Sequence, residues 1–425
     1  MPTSRRDFMI GCSAAIAAMA GSRILNLGWA SSLLADGSAP DGQLLVVFLR
    51  GGMDGLNFVA PADDPNYIAA RPVTMRLADA GPNAGLPLGD APAGLDFRLH
   101  PQAAPLKEIY DSGQLAFVHA CGLTDGTRSH FEAMDLIERG AAKQGAKQNL
   151  ANGWLTRFLA QQQIASSAVL PAASGNGSIA NSLLGCAAAM PVPDASAFRF
   201  SGSPEQLVAL RKLYMGDHPL QRAGAQALRA FDAFQSKLAK APNGDPIPYT
   251  PQNHADYGDS DIGRSLCSVA RLMKMDIGLR VATVDFGGWD THQGQAGIFN
   301  ALVAQLAKAL GAFYNDVSFY QHRLNVVVMS EFGRRLKSNQ SDGTDHGHGN
   351  VMMVLGAGVA GGRIHGPWPG LATEQLDNRA DLAITTDFRT VLADVLTTRF
   401  AVKDLEAIFP GFGQYKTSGV LTPVS

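Results

Sequence analysis

The chain has 425 residues, 46% hydrophobic and 17% charged, which is long enough to bury a large core and is typical of a globular rather than a disordered protein. Its 35 Lys and Arg residues nearly balance its 37 Asp and Glu residues, for a formal net charge of -2. This balance provides no basic surface for a nucleic-acid backbone or an anionic membrane. We therefore expect no nucleic-acid partner and favour a small anionic substrate or another exported protein.

The N-terminus has the pattern of a twin-arginine export signal. Arg5 and Arg6 are followed by one spacer residue, Phe8 and a weakly apolar Ala-rich run. The run is shorter than the roughly 20 residues that cross a bilayer, and we see no later span, so stable membrane insertion is not expected. We predict a signal peptide over residues 1–36, contact with the twin-arginine translocon during export, and a periplasmic or secreted single domain over 41–425. An amphipathic helix that happens to carry Arg-Arg is the alternative.

The cysteines do not describe a disulfide framework. Cys12 lies inside the predicted signal, which leaves Cys121, Cys186 and Cys267 in the mature chain. Such a sparse, odd set suits folding in the reducing cytoplasm before export, with one disulfide left open as an alternative.

Five short apolar runs predict buried strands, and most of them precede helix-like segments. Near-continuous apolar strands that alternate with helices indicate an α/β fold with a mostly parallel central sheet and helices on both faces. Ligands bind beyond the carboxyl ends of such strands, and polar residues follow these runs. The runs are Leu44–Leu49, Leu115–His119, Leu279–Phe286, Leu324–Met329 and Val351–Leu355.

The segment 141–261 lacks strong strand patterns and is rich in Ala, Gln, Ser and Gly. It contains one long helical pattern at 219–238, so we predict a helical insertion or cap. The turn-rich stretch 241–258 is expected to be the most mobile loop.

Histidines in polar turns indicate a metal site. His130, His292, His346 and His348 lie near predicted strand ends or helix starts, each with a carboxylate close in sequence. Imidazole nitrogens and carboxylate oxygens are ligands of zinc and related divalent ions. We expect one or two divalent ions, with Zn first and Mn, Mg or Ca as alternatives.

The metal motifs also have structural interpretations. The segment 345–349 (DHGHG) is the most specific, and its alternative is a solvated Gly-rich loop. Asp290 or Thr291 could cap a helix. Asp54 could cap the next segment or fill a tight turn, although flanking glycines let the backbone approach a ligand.

Glu331, Asp387 and His365 each admit a structural role. Glu331 directly follows an apolar strand, so it needs a metal or an arginine such as Arg334 or Arg335 beside it. Asp387 opens an apolar-periodic segment and is predicted to be a helix N-cap. His365 is predicted to be structural.

The candidate nucleophile lies in the segment 124–132 (TDGTRSHFE). Ser129 stands at a predicted helix start, where backbone N–H groups favour an anion such as phosphate or sulfate, and a nearby metal would lower its pKa. The alternative is an N-cap with Glu132 completing a capping box. Thr127 is the reserve nucleophile. Arg128 could clamp the substrate anion or be only a surface charge.

Six motifs occur in an order that resembles a bacterial secreted family called domain of unknown function 1501. They are LRGGMDGLN, TRSHFEAMD, GGWDTHQGQ, MSEFGRR, GTDHGHG and GGRIHGPWPG, and the resemblance covers about Leu44 to Phe400. That family is in turn similar to the alkaline phosphatase and sulfatase superfamily. The resemblance implies a parallel-centred α/β sandwich with metals at the strand ends.

The resemblance also implies residue roles. Ser129 or Thr127 falls at the nucleophile position, and either His346 or His348 at the late histidine ligand. Two departures are the shortened spacing in Asp-Thr-His and the pair Glu331-Phe332, which replaces Asp-His and loses an imidazole. The absence of a Cys-x-Pro-x-Arg motif disfavours a formylglycine nucleophile. The predicted metal ligands are Asp54, Asp290, His292, Glu331, Asp345, His346 and His348.

These patterns predict hydrolysis of a phosphate or sulfate ester. Ser129 or a water held by the metal would attack, while the metal and a helix N-terminus stabilise developing charge. The alternative is a catalytically silent exported scaffold or binding protein that keeps the fold.

Overall fold

The computed structural model describes residues 42–422, except 90–91, 148–149, 166, 196–199, 201, 240, 243–246 and 414. The predicted signal peptide, its cleavage region and Cys12 lie outside the described residues. Cys121, Cys186 and Cys267 are all free thiols, so no disulfide joins them.

Strands and helices alternate along the described chain. The strands are β1 (Gln43–Leu49), β2 (Val59–Pro61), β3 (Leu86–Pro87), β4 (Phe97–Leu99), β5 (Leu115–Gly122), β6 (Ala172–Ser174), β7 (Ala189–Pro191), β8 (Val281–Phe286), β9 (Leu324–Ser330), β10 (Asn350–Gly356), β11 (Ile364–His365) and β12 (Thr386–Asp387). The helices are α1 (Gly55–Phe58), α2 (Pro65–Ala70), α3 (Ala104–Asp111), α4 (His130–Glu138), α5 (Gln144–Lys147), α6 (Trp154–Ala160), α7 (Pro204–Leu213), α8 (Pro219–Lys237), α9 (Asp261–Lys274), α10 (Gln295–Asp316), α11 (Phe388–Phe400) and α12 (Leu405–Ile408).

Nine of these strands form the central sheet, in the order β11-β5-β10-β9-β1-β8-β6-β7 with β12 also paired to β5. β1 pairs in parallel with both β8 and β9, whereas β10 runs antiparallel to its neighbours β9 and β5. All five predicted apolar runs are strands of this sheet, and the predicted α/β class with a mostly parallel sheet is confirmed. A small antiparallel sheet of β2, β4 and β3 lies apart from it.

Helices cover both faces of the sheet, as the alternation of side chains along β1 shows. Leu45 and Val47 belong to one buried cluster with α3, α9 and α10, whereas Val46 and Phe48 belong to a second with α4, α6 and α11. Because successive side chains of a strand point to opposite faces, both faces of β1 are buried. The near-continuous apolar sequence of this strand follows from that double burial.

The candidate residues collect at one edge of the sheet. β1, β5, β8 and β9 all point their carboxyl ends there, and antiparallel β10 begins there. The segment 345–349 therefore reaches this edge because it precedes β10. The turn 356–358 follows β10 and therefore lies at the opposite edge. This differs from the expectation that all five predicted apolar runs end at the ligand-binding edge of the sheet.

The segment 141–261 is not a purely helical insertion. β6 and β7 lie within it and extend the central sheet beyond β8, while Trp154 and Phe158 of α6 are buried in the second core cluster. These strands have only three residues each and are rich in alanine, so they carry no β-branched signal. The helices α7 and α8 fit the predicted helical insertion or cap.

Among the described helices, α10 alone is long and apolar enough by length and composition to cross a membrane. No such later span was expected from the sequence. The helix packs instead against α9 and α3, and one of its faces is in the core. The buried residues of that face include Phe299, Val303, Leu306, Leu310 and Phe313.

Candidate metal centre

Glycines let the loops after β1, β8 and β9 pack closely. Gly51 has φ of 122°, and a Cβ there would lie 2.5 Å from the backbone nitrogen of Asp290. A Cβ on Gly347 would lie 2.4 Å from the carbonyl carbon of Arg334. Side chains at these two positions would push the loops apart, so glycine is required for the site to close.

Three histidines and one aspartate converge at this edge. Asp290 Oδ1 lies 3.0 Å from His292 Nε2, 3.0 Å from His346 Nε2 and 3.4 Å from His130 Nε2. The Nε2 atoms of His292 and His346 are 2.9 Å apart. These four residues, His130, Asp290, His292 and His346, are named the metal centre below.

Each of the three imidazoles is held through its Nδ1 atom. His130 Nδ1 lies 2.7 Å from Glu331 Oε1, and His292 Nδ1 lies 3.3 Å from Asp345 Oδ1. His346 Nδ1 lies 2.9 Å from the carbonyl oxygen of Arg128. Carboxylate and carbonyl oxygens only accept, so each Nδ1 carries the hydrogen and each Nε2 is free to present a lone pair to the centre.

This arrangement fits a divalent cation. Two ligand atoms of a tetrahedral zinc ion lie about 3.3 Å apart, close to the 2.9 Å, 3.0 Å and 3.4 Å separations found here. His130 Nε2 is buried and makes no hydrogen bond within the described chain, as expected for a ligand atom. Among the described residues, the ligand atoms of His130, Asp290 and His346 all lie within 4.8 Å of one another, and His292 Nε2 lies within 3.0 Å of the last two. The structure therefore contains a candidate His/Asp metal site.

The protonation of the centre is set by its neighbours. The hydrogen bond to Glu331 raises the pKa of His130, whereas burial lowers the pKa of His346. Burial acts to raise the pKa of Asp290, but the hydrogen bond and the positive charge of Arg334 outweigh it, and the net pKa is well below its usual range. Asp290 is thus an anion that can balance the charge of a cation.

Arg334 connects the loops that carry the centre. Its guanidinium donates to the carbonyls of Gly51, Gly52 and Thr344 and to Asp290 Oδ1, the last at 2.6 Å. Arg334 was one of two arginines expected as alternatives to a metal beside Glu331. The Glu331 carboxylate instead accepts from His130 and from the Gly51 amide, both at 2.7 Å. Arg334 is thus a buried brace for the loop backbones.

Asp54 is not brought into the metal centre. It is fully buried, and its carboxylate accepts from Arg71 at 2.5 and 3.1 Å, from Gln295 Nε2 at 2.6 Å and from the Asn57 amide. Both oxygens are therefore used, and the side chain caps α1. The ligand role predicted for Asp54 is replaced by a buried ion pair, the structural alternative that the turn also allowed.

We expect Asp54→Asn to destabilise the fold by about 3–5 kcal/mol, because Arg71 is left buried without a counter-charge. Metal content should not change. Urea unfolding and elemental analysis measure the two effects, with Asp111→Asn, at the exposed Lys107 pair, as a control within about 1 kcal/mol of wild type. Loss of metal from a stably folded Asp54→Asn protein would instead restore Asp54 as a ligand.

Of three other predicted ligands, two contact histidines of the metal centre and the third binds groups outside it. Glu331 and Asp345 orient His130 and His292 and do not face the centre. His348 uses Nδ1 for Asp377 at 2.6 Å and Nε2 for the carbonyls of Leu123 and Asp125 at 3.0 and 3.2 Å. No ring nitrogen of His348 remains for a metal.

The candidate nucleophile is adjacent to the centre. Ser129 lies between Arg128, whose carbonyl holds His346, and His130. It is the N-cap residue of α4, but its side chain makes no capping hydrogen bond, so the capping box considered as the alternative does not form. Thr127 Oγ1 donates to Glu132 at 2.7 Å, and Glu132 is the residue that a capping box with Ser129 would need.

Arg128 is neither a surface charge nor free for a substrate anion in this state. Its guanidinium donates to Asp381, a carboxylate with no exposed surface, and to the Gly126 carbonyl at 3.2 Å. This contact fixes the backbone that orients His346.

His130 was missed as a ligand from sequence. It was one of the four histidines noted in polar turns, but the segment 124–132 was interpreted only as the source of the nucleophile, and His130 was left out of the predicted ligands. The imidazole that seemed lost at Phe332 is in effect supplied by His130. The N-cap predicted at Asp387 is confirmed, since its side chain accepts from the Arg389 amide. The His365 ring lies 2.8 Å from the Ala360 carbonyl oxygen, and its backbone pairs with β5, in line with a structural role.

Comparisons with known proteins give one family match. The model of the family described as "Protein of unknown function (DUF1501)" matches residues 117–407, more than half of the chain. A solved structure of a protein in the alkaline phosphatase superfamily from Vibrio parahaemolyticus has 10% sequence identity and a TM-score of 0.32, over 85% of this chain and 71% of that chain. No curated protein matches.

Proposed function

Because the chain belongs to the DUF1501 family, whose description leaves the activity open, we propose from the site that it is an exported, metal-dependent hydrolase of a phosphate or sulfate ester. The observation that carries the proposal is the convergence of three imidazole Nε2 atoms and Asp290 beside the N-terminus of α4. Export rests on the Arg5-Arg6 motif and places the activity in the periplasm or outside the cell.

Zinc is the ion that the donor set favours. Three imidazoles and one carboxylate suit zinc, while magnesium and calcium prefer oxygen ligands almost exclusively. Manganese, which accepts both kinds of donor, is the runner-up. When bound, such an ion polarises an ester oxygen and lowers the pKa of a neighbouring hydroxyl group.

The chain's own residues supply a nucleophile and an anion site. Ser129 is at the first turn of α4, where the orphan N–H groups and the helix dipole attract a phosphate or sulfate group. The Ser129 side chain makes no cap bond that would compete with this role. Glu331 and Asp345, by holding His130 and His292, keep the imidazoles oriented without reorganisation during the reaction.

The centre is open to solvent on one side. The side chains of Asp290 and His292 are 46% and 39% exposed, whereas His130 and His346 are about half as exposed. An ester can therefore approach from the Asp290 side. A fully enclosed site would favour a purely structural ion.

The silent-scaffold alternative keeps one observation in its favour. Four protein ligands are enough to complete a tetrahedral zinc site, as in structural zinc centres. Under this alternative, zinc stabilises the protein but no ester is turned over.

Replacing Ser129 with alanine is expected to reduce turnover of aryl phosphate or sulfate esters on the order of 10³-fold or more, with zinc content unchanged. Steady-state assays and elemental mass spectrometry on the same zinc-loaded protein measure both. Thr127→Ala is the matched control, because its hydroxyl is engaged by Glu132, and less than a tenfold change, roughly, is expected.

The outcomes separate the candidates. Full turnover in Ser129→Ala means that water attacks and that the nucleophile assignment is wrong. Stoichiometric zinc with no turnover of either ester class supports the scaffold.

A further inference from the structure

A groove of about 860 Å³ lies at the carboxyl ends of β6 and β8, the edge of the sheet that also carries the metal centre. Its walls include Asn176 after β6 and the stretch 285–287 at the end of β8. Asp290 follows Gly287 by three positions, so their Cα atoms are at most about 11 Å apart. A ligand in the groove can therefore extend to the centre.

One wall of the groove contains a buried arginine without a counter-charge. Arg271 of α9 is only 8% exposed, and its guanidinium carbon lies 5.7 Å from the ring centroid of Tyr249. No ion pair or side-chain hydrogen bond joins this guanidinium to another residue in the described part of the chain. Burying an unpaired cation is costly, so the position favours an anion from outside the chain.

The nearby carboxylates are already engaged. Asp316, fully buried, accepts from Tyr249 at 2.6 Å, from Tyr257 at 2.8 Å and from Lys274. Asp285 pairs with Arg50 at 2.9 Å. Two further acids of the wall, Asp194 and Asp261, also have partners of their own. Arg271 therefore keeps a positive charge that faces the groove.

We propose that this groove binds an anionic group at the non-reacting end of the substrate, with Arg271 as the counter-charge. This inference rests on the proposed ester hydrolysis at the metal centre. The ester then carries a second acidic group, a carboxylate or a sulfate, on a body that packs against Tyr249. The acids in the same wall repel a polyanion, so a single charge at this end fits best.

The test uses small aryl anions as probes. Saturation-transfer NMR of benzoate and benzenesulfonate, with neutral benzyl alcohol as reference, is recorded on zinc-loaded protein. We expect transfer to at least one anion and none to the alcohol, and the preferred anion identifies the acidic group. Arg271→Gln should weaken binding at least about tenfold, and Arg271→Lys less. Arg211→Gln, which removes an exposed and already paired arginine that does not line the groove, should change it less than about twofold.

Repeating the titration after zinc is chelated separates the groove from the metal centre. Anion binding that survives chelation and is weakened in Arg271→Gln supports the groove, even if no ester is hydrolysed. Binding that vanishes on chelation and is unchanged in Arg271→Gln and Arg271→Lys places the anion on the metal and overturns the proposal. Absence of transfer to both anions overturns it as well.

Discussion

Replacing His346 with alanine is expected to remove the bound zinc and, with it, ester hydrolysis. His346 Nε2 lies 2.9 Å from His292 Nε2 and 3.0 Å from Asp290 Oδ1, and it also belongs to the compact group with His130, so its loss affects every other member of the centre. Because removing an orienting partner already costs 10–100-fold in metal affinity, losing a ligand should cost at least about 100-fold. Elemental mass spectrometry of protein purified without chelator measures the zinc content.

His348→Ala is the matched control for this experiment. The two histidines are separated only by Gly347, but both ring nitrogens of His348 are used by Asp377 and by carbonyl oxygens. This variant should keep its zinc, and added zinc should still raise its melting temperature, as in wild type but not in His346→Ala. Equal zinc content in the two variants would show that the metal centre does not hold the zinc, and would remove the basis for metal-dependent hydrolysis.

Arg334→Ala is expected to cause a large loss of stability. The guanidinium is 1% exposed and donates to four backbone carbonyls, those of Gly51, Gly52, Trp289 and Thr344. Alanine leaves these acceptors buried without donors and deprives Asp290 of its ion pair. We expect a loss of about 3–5 kcal/mol in the free energy of unfolding, measured by urea denaturation.

Arg335→Ala provides the control on the next residue. Its side chain is 47% exposed and approaches Asp381 only at 3.8 Å, so the expected loss is within about 1 kcal/mol. Arg334→Lys serves where the alanine protein does not fold, since a single ammonium group cannot span the same carbonyls. An Arg334→Ala protein as stable as the Arg335→Ala protein would rule out the bracing role.

The main strands of the sheet could be predicted because each is apolar enough to be buried on both faces. Leu44–Leu49 and Leu324–Met329 are examples in which the sequence pattern alone defines the strand. The short strands β6 and β7 could not, because each has only three residues without a β-branched signal. They pair only because β8 offers an open edge to β6, and β6 then offers one to β7. The direction of β10 relative to its neighbours could not be predicted either, because an apolar run has the same sequence pattern in a parallel and in an antiparallel strand.

The edge that carries the site could be predicted, but not which side chains face each other. Asp290, His292 and His346 meet as expected, whereas Asp54 turns to Arg71, 17 positions away, and His348 turns to Asp377. Those choices depend on contacts between distant segments. The contact of Arg128 with Asp381, 253 positions apart, is the extreme case, and no local pattern signals it.

The reversed direction of β10 also governs when the metal centre can form during synthesis. Its first ligand, His130, waits for Glu331 to orient it, and its last, His346, sits just before β10 and relies on the backbone of Arg128. A ribosome-bound chain that has emerged only to residue 300 holds three of the four ligands. It still lacks His346, and it also lacks Glu331, the carboxylate that orients His130. Under the proposed metal binding, ion capture would be a late step of folding. Under the proposed export in the folded state, the chain would take its metal from the cytoplasmic pool.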